Sequence, residues 1–169
     1  MMWNAVRGHF IRRKAGLQVA RLLIENGIRV DETGRFLVAD VEITDVSLAR
    51  AAGVDRRVVR ETAAFILGDD QLKPIFMKLR PAGTSLVSVA SHLGYTVLKI
   101  SADPHRSGIL AGVSRVLAEH DLLVRQALAD DPDLNPDPKM TLVIEGHVPA
   151  KAVEDIQRLP YVVSITIFT

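Results

Sequence analysis

The chain has no cysteine among its 169 residues, which excludes disulfides, thiolate metal sites and thiol nucleophiles. Aromatic residues make up only 5%. Any core must therefore be built from Val, Ile, Leu and Ala, and the stacking platform of an RNA-recognition motif is missing from Val97–Ile100 and Met140–Glu145. No apolar run reaches the roughly 18 residues of a membrane span. Gln18 and Arg21 interrupt the apolar stretch that follows Arg12, Arg13 and Lys14, so no signal-peptide core forms. The expectation is a cytoplasmic protein with no membrane partner.

At 48% hydrophobic and 24% charged residues, the composition is that of a folded globular chain. The formal charge of +1 conceals an uneven distribution. Residues 1–80 hold 14 Lys and Arg against 10 Asp and Glu, whereas residues 81–169 hold 7 against 10. A basic front and an acidic back suit a nucleic-acid module joined to a module of another kind.

The apolar spacing predicts a helical region from Trp3, Val6 and Phe10 through Leu17, Ala20, Leu23 and Ile24, stopped at Asn26-Gly27. Residues 28–41, with Thr33-Gly34 between apolar pieces, read as a hairpin. Thr44 or Asp45 can cap a short helix to about Ala52, Gly53 turns the chain, and Asp55 can cap a longer helix to about Leu67. Further helices are expected over 70–79 and 85–93. From Tyr95 the pattern becomes strand 96–101, helix 107–119, strand 122–129, strand 140–146, a helix from Pro149, and strand 161–168. That order is the β-α-β-β-α-β of a ferredoxin-like domain. The fold class is thus α+β, with a helical, helix-turn-helix-like domain over 1–94 and a ferredoxin-like domain over 95–169.

Leu48–Leu67, LARAAGVDRRVVRETAAFIL, carries the helix-turn-helix signal. Ala49 permits a close helix crossing, Gly53 supplies the turn, and Val54, Val59, Ala63 and Ile66 hold the second helix to a core. Arg56, Arg57 and Arg60 are left facing outward near its N-terminal end, where a recognition helix meets base edges and phosphates. Double-stranded DNA is the partner this implies.

The second half holds Val97–Leu110, VLKISADPHRSGIL: a strand, a polar turn and the start of a helix. Backbone N–H groups at such a turn suit a small anionic or zwitterionic ligand. SADPHRSGILAGVSRVLAEHDLLVRQALADD resembles an ACT domain, a module that senses amino acids and usually pairs side by side with its ligand at the interface. With LARAAGVDRRVVRETAAFIL, LRPAG and RQALADDP, the chain over residues 15–169 also resembles an archaeal family of predicted regulators of amino acid metabolism. The resemblance implies a homodimer through the ACT domain. Asp103 and His105, with Arg106 in the same turn, would grip the ligand's amino group or polar side chain. Ser107, Gly108, Ile109 and Leu110 would present the helix N-terminus to its carboxylate, and Arg125 and Gln126 would reach in from the partner chain. Ser107 stands where the family more often has proline.

Other signals point to nothing. Asp130, Asp131, Asp133 and Asp137 lack the glycine and terminal glutamate of a calcium loop. The five histidines include no pair at i, i+4. No Ser-His-Asp ordering, nucleophile elbow, phosphate loop or dinucleotide fingerprint occurs. The expectation is an amino-acid-responsive transcriptional regulator that is not an enzyme and has no cofactor or metal. The alternative is a stand-alone allosteric subunit that docks on a biosynthetic enzyme without binding DNA.

Overall fold

The computed structural model describes residues 2–169 and divides into two compact units, Met1–Thr84 and Ser85–Thr169. It is a mixed α+β protein, with seven α-helices and two antiparallel sheets among the described residues.

In the first unit the helical region at the start is two helices, α1 (Met2–His9) and α2 (Lys14–Glu25). The chain turns between them, with the Arg13 N–H donating to the Phe10 carbonyl at 2.8 Å. Gly16, Val19, Ala20 and Leu23 form the buried stripe of α2, the i, i+3, i+4, i+7 spacing of one helix face. The expected hairpin carries a third strand: β1 (Arg29–Val30), β2 (Phe36–Val38) and β3 (Val41–Ile43) pair antiparallel in that order. The Asp31 carboxylate closes the first turn, accepting from the Thr33 hydroxyl at 2.7 Å and from the backbone N–H groups of Thr33 and Arg35 at 2.9 Å.

Capping chemistry then sets the next three helices. The Thr44 hydroxyl accepts from the Ser47 N–H at the start of α3 (Asp45–Ala52), which ends at Gly53 with φ +64°. The Asp55 carboxylate accepts from the Arg57 N–H at the start of α4 (Arg56–Leu67). The Asp69 carboxylate accepts from the N–H groups of Gln71 and Leu72 at 2.9 Å. It thereby opens α5 (Leu72–Phe76), which is shorter than the expected helix over 70–79.

The second unit runs β4 (Tyr95–Ala102), α6 (Ile109–Glu119), β5 (Val124–Ala129), β6 (Lys139–Glu145), α7 (Ala150–Gln157) and β7 (Val162–Phe168), with sheet order β5-β6-β4-β7. Alternation along the strands fixes its two faces. Leu98, Ile100, Met140, Leu142 and Ile144 pack with Val113, Val116 and Leu117 of α6 and with Ala152 and Ile156 of α7. On the opposite face Val97 and Val143 lie under Ala90, with Leu86 and Val87 beside them. Residues 85–93, expected as a helix closing the first domain, instead hold two 3₁₀ turns, Val87–Val89 and Ser91–Leu93, that cover this second sheet face. The Leu86 N–H donates to the Gln126 side-chain oxygen at 2.8 Å and ties the segment down. Among the described residues no helix is long and apolar enough to cross a membrane.

Candidate functional site

Two places in the fold gather the residues singled out in the sequence, one in each unit.

In the first unit, α3, the left-handed Gly53 and α4 stand in the expected order. Val59, Thr62, Ala63 and Ile66 are the buried face of α4. Val54, expected in that core, is only half-buried. The 3.6-residue period puts Arg57, Glu61 and Ala64 at the centre of the exposed face. Arg57 makes no ion pair among the described residues.

Arg56 and Arg60 flank that exposed stripe and are not free. Arg60 Nε lies 2.6 Å, and Arg56 Nε 3.7 Å, from Asp45 Oδ2 at the start of α3. Beside them a cleft of about 760 Å³ opens between α4 and the small sheet, lined among others by Thr33, Arg35, Glu42, Asp45, Arg56 and Arg60. The Asp45 pairing has no local signal, because the partners are 11 and 15 residues apart and meet only through the angle between two helices.

The Asp31 turn forms one wall of this cleft. The Thr33 hydroxyl first, then the N–H and guanidinium of Arg35 and the N–H of Thr33, hold the Asp31 carboxyl far below the ordinary carboxylate range, against the opposing effect of burial. A carboxyl depressed on folding stabilises the native state above its unfolded pKa of about 3.9, and that contribution is lost as pH falls through the folded value. Asp31→Asn is therefore expected to lower the urea midpoint by a constant amount above about pH 5. The gap from the wild type should narrow steadily below that pH, and a gap that stays constant down to pH 2 would contradict the assignment.

In the second unit, the turn between β4 and α6 is exposed from Asp103 to Gly108. Asp103 Oδ1 accepts the His105 N–H at 3.0 Å, and the Arg106 N–H donates to the Asp103 carbonyl at 3.1 Å. Gly108, at φ +90°, is the N-cap of α6 and no side chain caps this end. Ser107 precedes it in the exposed turn. A cavity of about 150 Å³ lies alongside, lined among others by Pro104, Ile109, Leu110, Asp130, Pro132 and Met140. Of the expected ligand residues, Ile109 and Leu110 line this cavity, while Asp103, His105, Arg106, Ser107 and Gly108 form the adjoining turn.

Arg125 and Gln126 are engaged elsewhere in their own chain. Arg125 pairs with Glu145 at 3.4 Å and lies over the Tyr95 ring at 5.8 Å, and Gln126 holds Leu86. Asp130 is the lining carboxylate. Its Oδ2 accepts both from the Asn135 amide at 2.8 Å and from the Lys139 N–H at 3.1 Å, which leaves Oδ1 for another donor. Among the described residues no group of three or more His, Asp or Glu is placed to hold a metal ion.

No family model matches the chain, and no curated protein matches it significantly. Among solved structures it is similar to the C-terminal domain of the MgtC protein from Mycobacterium tuberculosis, with 19% identity and a TM-score of 0.35, over 44% of this chain and 83% of that one. It is also similar to a glycine-to-threonine mutant of Rv3291c, with 18% identity and a TM-score of 0.29, over 91% of this chain and 90% of that one. At these scores neither likeness bears on the function of the chain.

Proposed function

We propose that this chain is an amino-acid-responsive regulatory protein and not an enzyme. Its first unit is read as a helix-turn-helix module that binds double-stranded DNA. Its second unit is read as an ACT-type, ferredoxin-like module that binds a small amino acid and pairs with a second copy. The observation that carries the DNA half is Arg57: a guanidinium at the centre of the exposed face of α4, in the first turn after the glycine-turned corner, without an ion-pair partner among the described residues. Such a group can reach a guanine edge or a phosphate.

Several features support the ligand half. The N-terminal end of α6 carries no side-chain cap, the neighbouring cavity is small and largely apolar, and the Asp130 carboxylate has an oxygen to spare. These would take a carboxylate, an aliphatic side chain and an ammonium respectively. Pairing is supported by the sheet edges. Val163, Ile167 and Phe168 on β7 are 71%, 44% and 48% exposed, and an unpaired apolar edge strand is a template for another chain. A ligand can alter DNA affinity only through its differential affinity for two states of the dimer, typically about 1–3 kcal/mol.

The Asp45 pairing favours a second reading, because one carboxylate engages two of the three α4 arginines and offsets one of their charges. In that reading the chain is an allosteric subunit docking on a biosynthetic enzyme. Titration with a random duplex separates the two. A DNA-binding module shows a steep loss of affinity with salt, and Arg57→Ala is expected to weaken binding roughly tenfold and to lower the salt slope by about one. Unchanged binding by the variant would leave the docking subunit standing. A thermal-shift screen against the twenty amino acids tests the ligand, which at 100 times its Kd adds about 2.7 kcal/mol of stability.

A further inference from the structure

Six of the ten acidic groups of the first unit are in ion pairs. Glu25 pairs with Arg21, Asp31 and Glu42 with Arg35, Asp40 with Arg29, Asp45 with Arg56 and Arg60, and Asp69 with His9. The unit's cationic excess is therefore carried by the groups that have no such partner. Three of these are consecutive: Arg12, Arg13 and Lys14, all exposed, in the turn into α2.

Their position relative to α4 is fixed. Arg12, Arg13, Lys14, Ala15 and Gly16 form one wall of a cleft of about 250 Å³, and Val58, Glu61 and Thr62 of α4 line the other. The Arg13 guanidinium rests 4.5 Å from the centre of the Phe65 ring on α4. A Cβ on Gly16 would stand only 3.1 Å from the Thr62 hydroxyl, so the start of α2 is held directly against α4.

The geometry of a duplex gives this placement its meaning. An α-helix with its side chains is about 10–12 Å across and the major groove about 12 Å wide. A helix seated there fills the groove and brings its two flanks against the two phosphate walls. With Arg57 pointing into the groove, one flank of α4 carries Arg56 and Arg60, and the other faces the Arg12–Lys14 cleft. On the first flank Asp45 already occupies the arginines. On the second the three cations have no ion-pair partner among the described residues.

We propose that Arg12, Arg13 and Lys14 bind the phosphodiester backbone of one DNA strand and set the register of α4 in the groove. This rests on the DNA reading above and assigns the main phosphate anchor to a turn outside the helix-turn-helix itself. Lys and Arg contacts to phosphate position a protein without reading sequence.

The test uses the full chain and a random 20-base-pair duplex, titrated from about 50 to 200 mM salt, the range over which phosphate contacts dominate the change in affinity. Each lost phosphate contact removes about 0.9 from the slope of log K against log salt, so R12Q/R13Q/K14Q should be flatter by about 2.7. Its loss of affinity relative to the wild type should therefore shrink by about 40-fold between 50 and 200 mM salt. Because Arg13 also packs on Phe65, R12Q/K14Q keeps that stacking and should show about two-thirds of the change in slope. The charge-matched variant K73Q/K78Q/R80Q, altered elsewhere on the same unit, should stay near the wild type.

A slope unchanged in both N-terminal variants, or an equal loss in the charge-matched one, overturns the anchor. In either case the DNA reading itself stands if the wild type binds and Arg57→Ala weakens it. No salt-dependent binding by the wild type overturns both, and retention on anionic vesicles but not on duplex reassigns the three cations to a membrane surface.

Discussion

Gly27→Ala is expected to destabilise the first unit by on the order of 3 kcal/mol, about twice the effect of the same change at Gly53. Both glycines end helices in the left-handed region, at φ +61° and +64°, where an alanine costs about 1–2 kcal/mol from its own backbone. They differ in what surrounds them. A Cβ on Gly53 meets nothing within 4 Å, whereas one on Gly27 would run into the Pro81 nitrogen and stand 2.5 Å from the Arg80 carbonyl carbon. These are backbone atoms and cannot rotate away as a side-chain tip can. The Arg80–Pro81 segment must be pushed aside, and that displacement adds to the conformational cost. Urea midpoints of the two variants measure the difference directly. Equal shifts would mean that the Arg80–Pro81 segment yields freely.

The same pair of glycines shows what could be read in advance. Helix ends are written locally: Gly27 and Gly53 announce a left-handed φ on their own, and Thr44 and Asp55 cap from within three residues, whereas the Arg80–Pro81 approach to Gly27 is not local. The β-α-β-β-α-β order of the second unit was legible for a similar reason, since strand alternation and helix period are properties of short windows.

What escaped depends on distance. The break at Phe10–Arg13 lies between Phe10 and Leu17, seven residues apart and so still in phase on one helix face. Strand β3 carries two exposed residues and one half-buried one, which leaves no alternation to detect. Residues 85–94 show helical spacing, but their apolar groups are used against Val97 and Val143 of the sheet. Of the candidate site, the exposed Arg57 and the polar turn at Asp103–Gly108 came from pattern alone. The Asp45 clamp on Arg56 and Arg60, and the cleft behind Arg12–Lys14, come from helix packing that no local window encodes.

The largest effect in the second unit is expected at Leu98. Its side chain is fully buried in β4, an interior strand, level with Leu142 of β6 on one side and Ile167 of β7 on the other. It belongs to the cluster that joins the sheet to both α6 and α7. Leu98→Ala removes the transfer energy of the lost atoms and leaves a cavity whose walls are strands and helices already in register. Such sites collapse poorly, and the expected cost is about 3–4 kcal/mol. For a unit of this size each kcal/mol lowers Tm by about 4–8 °C, so the melting transition should fall by at least about 12 °C. Val97→Ala is the comparison on the other face, and it removes one carbon fewer. Its side chain is equally inaccessible, but it faces the short 85–94 segment rather than two helices, which can settle into the vacated space. A loss of about 1–2 kcal/mol is expected there. If the two variants melt together, the helix-backed face is no more rigid than the face under the 3₁₀ turns. The turn at Asp103–Gly108 would then lack the fixed base that a preorganised ligand site requires.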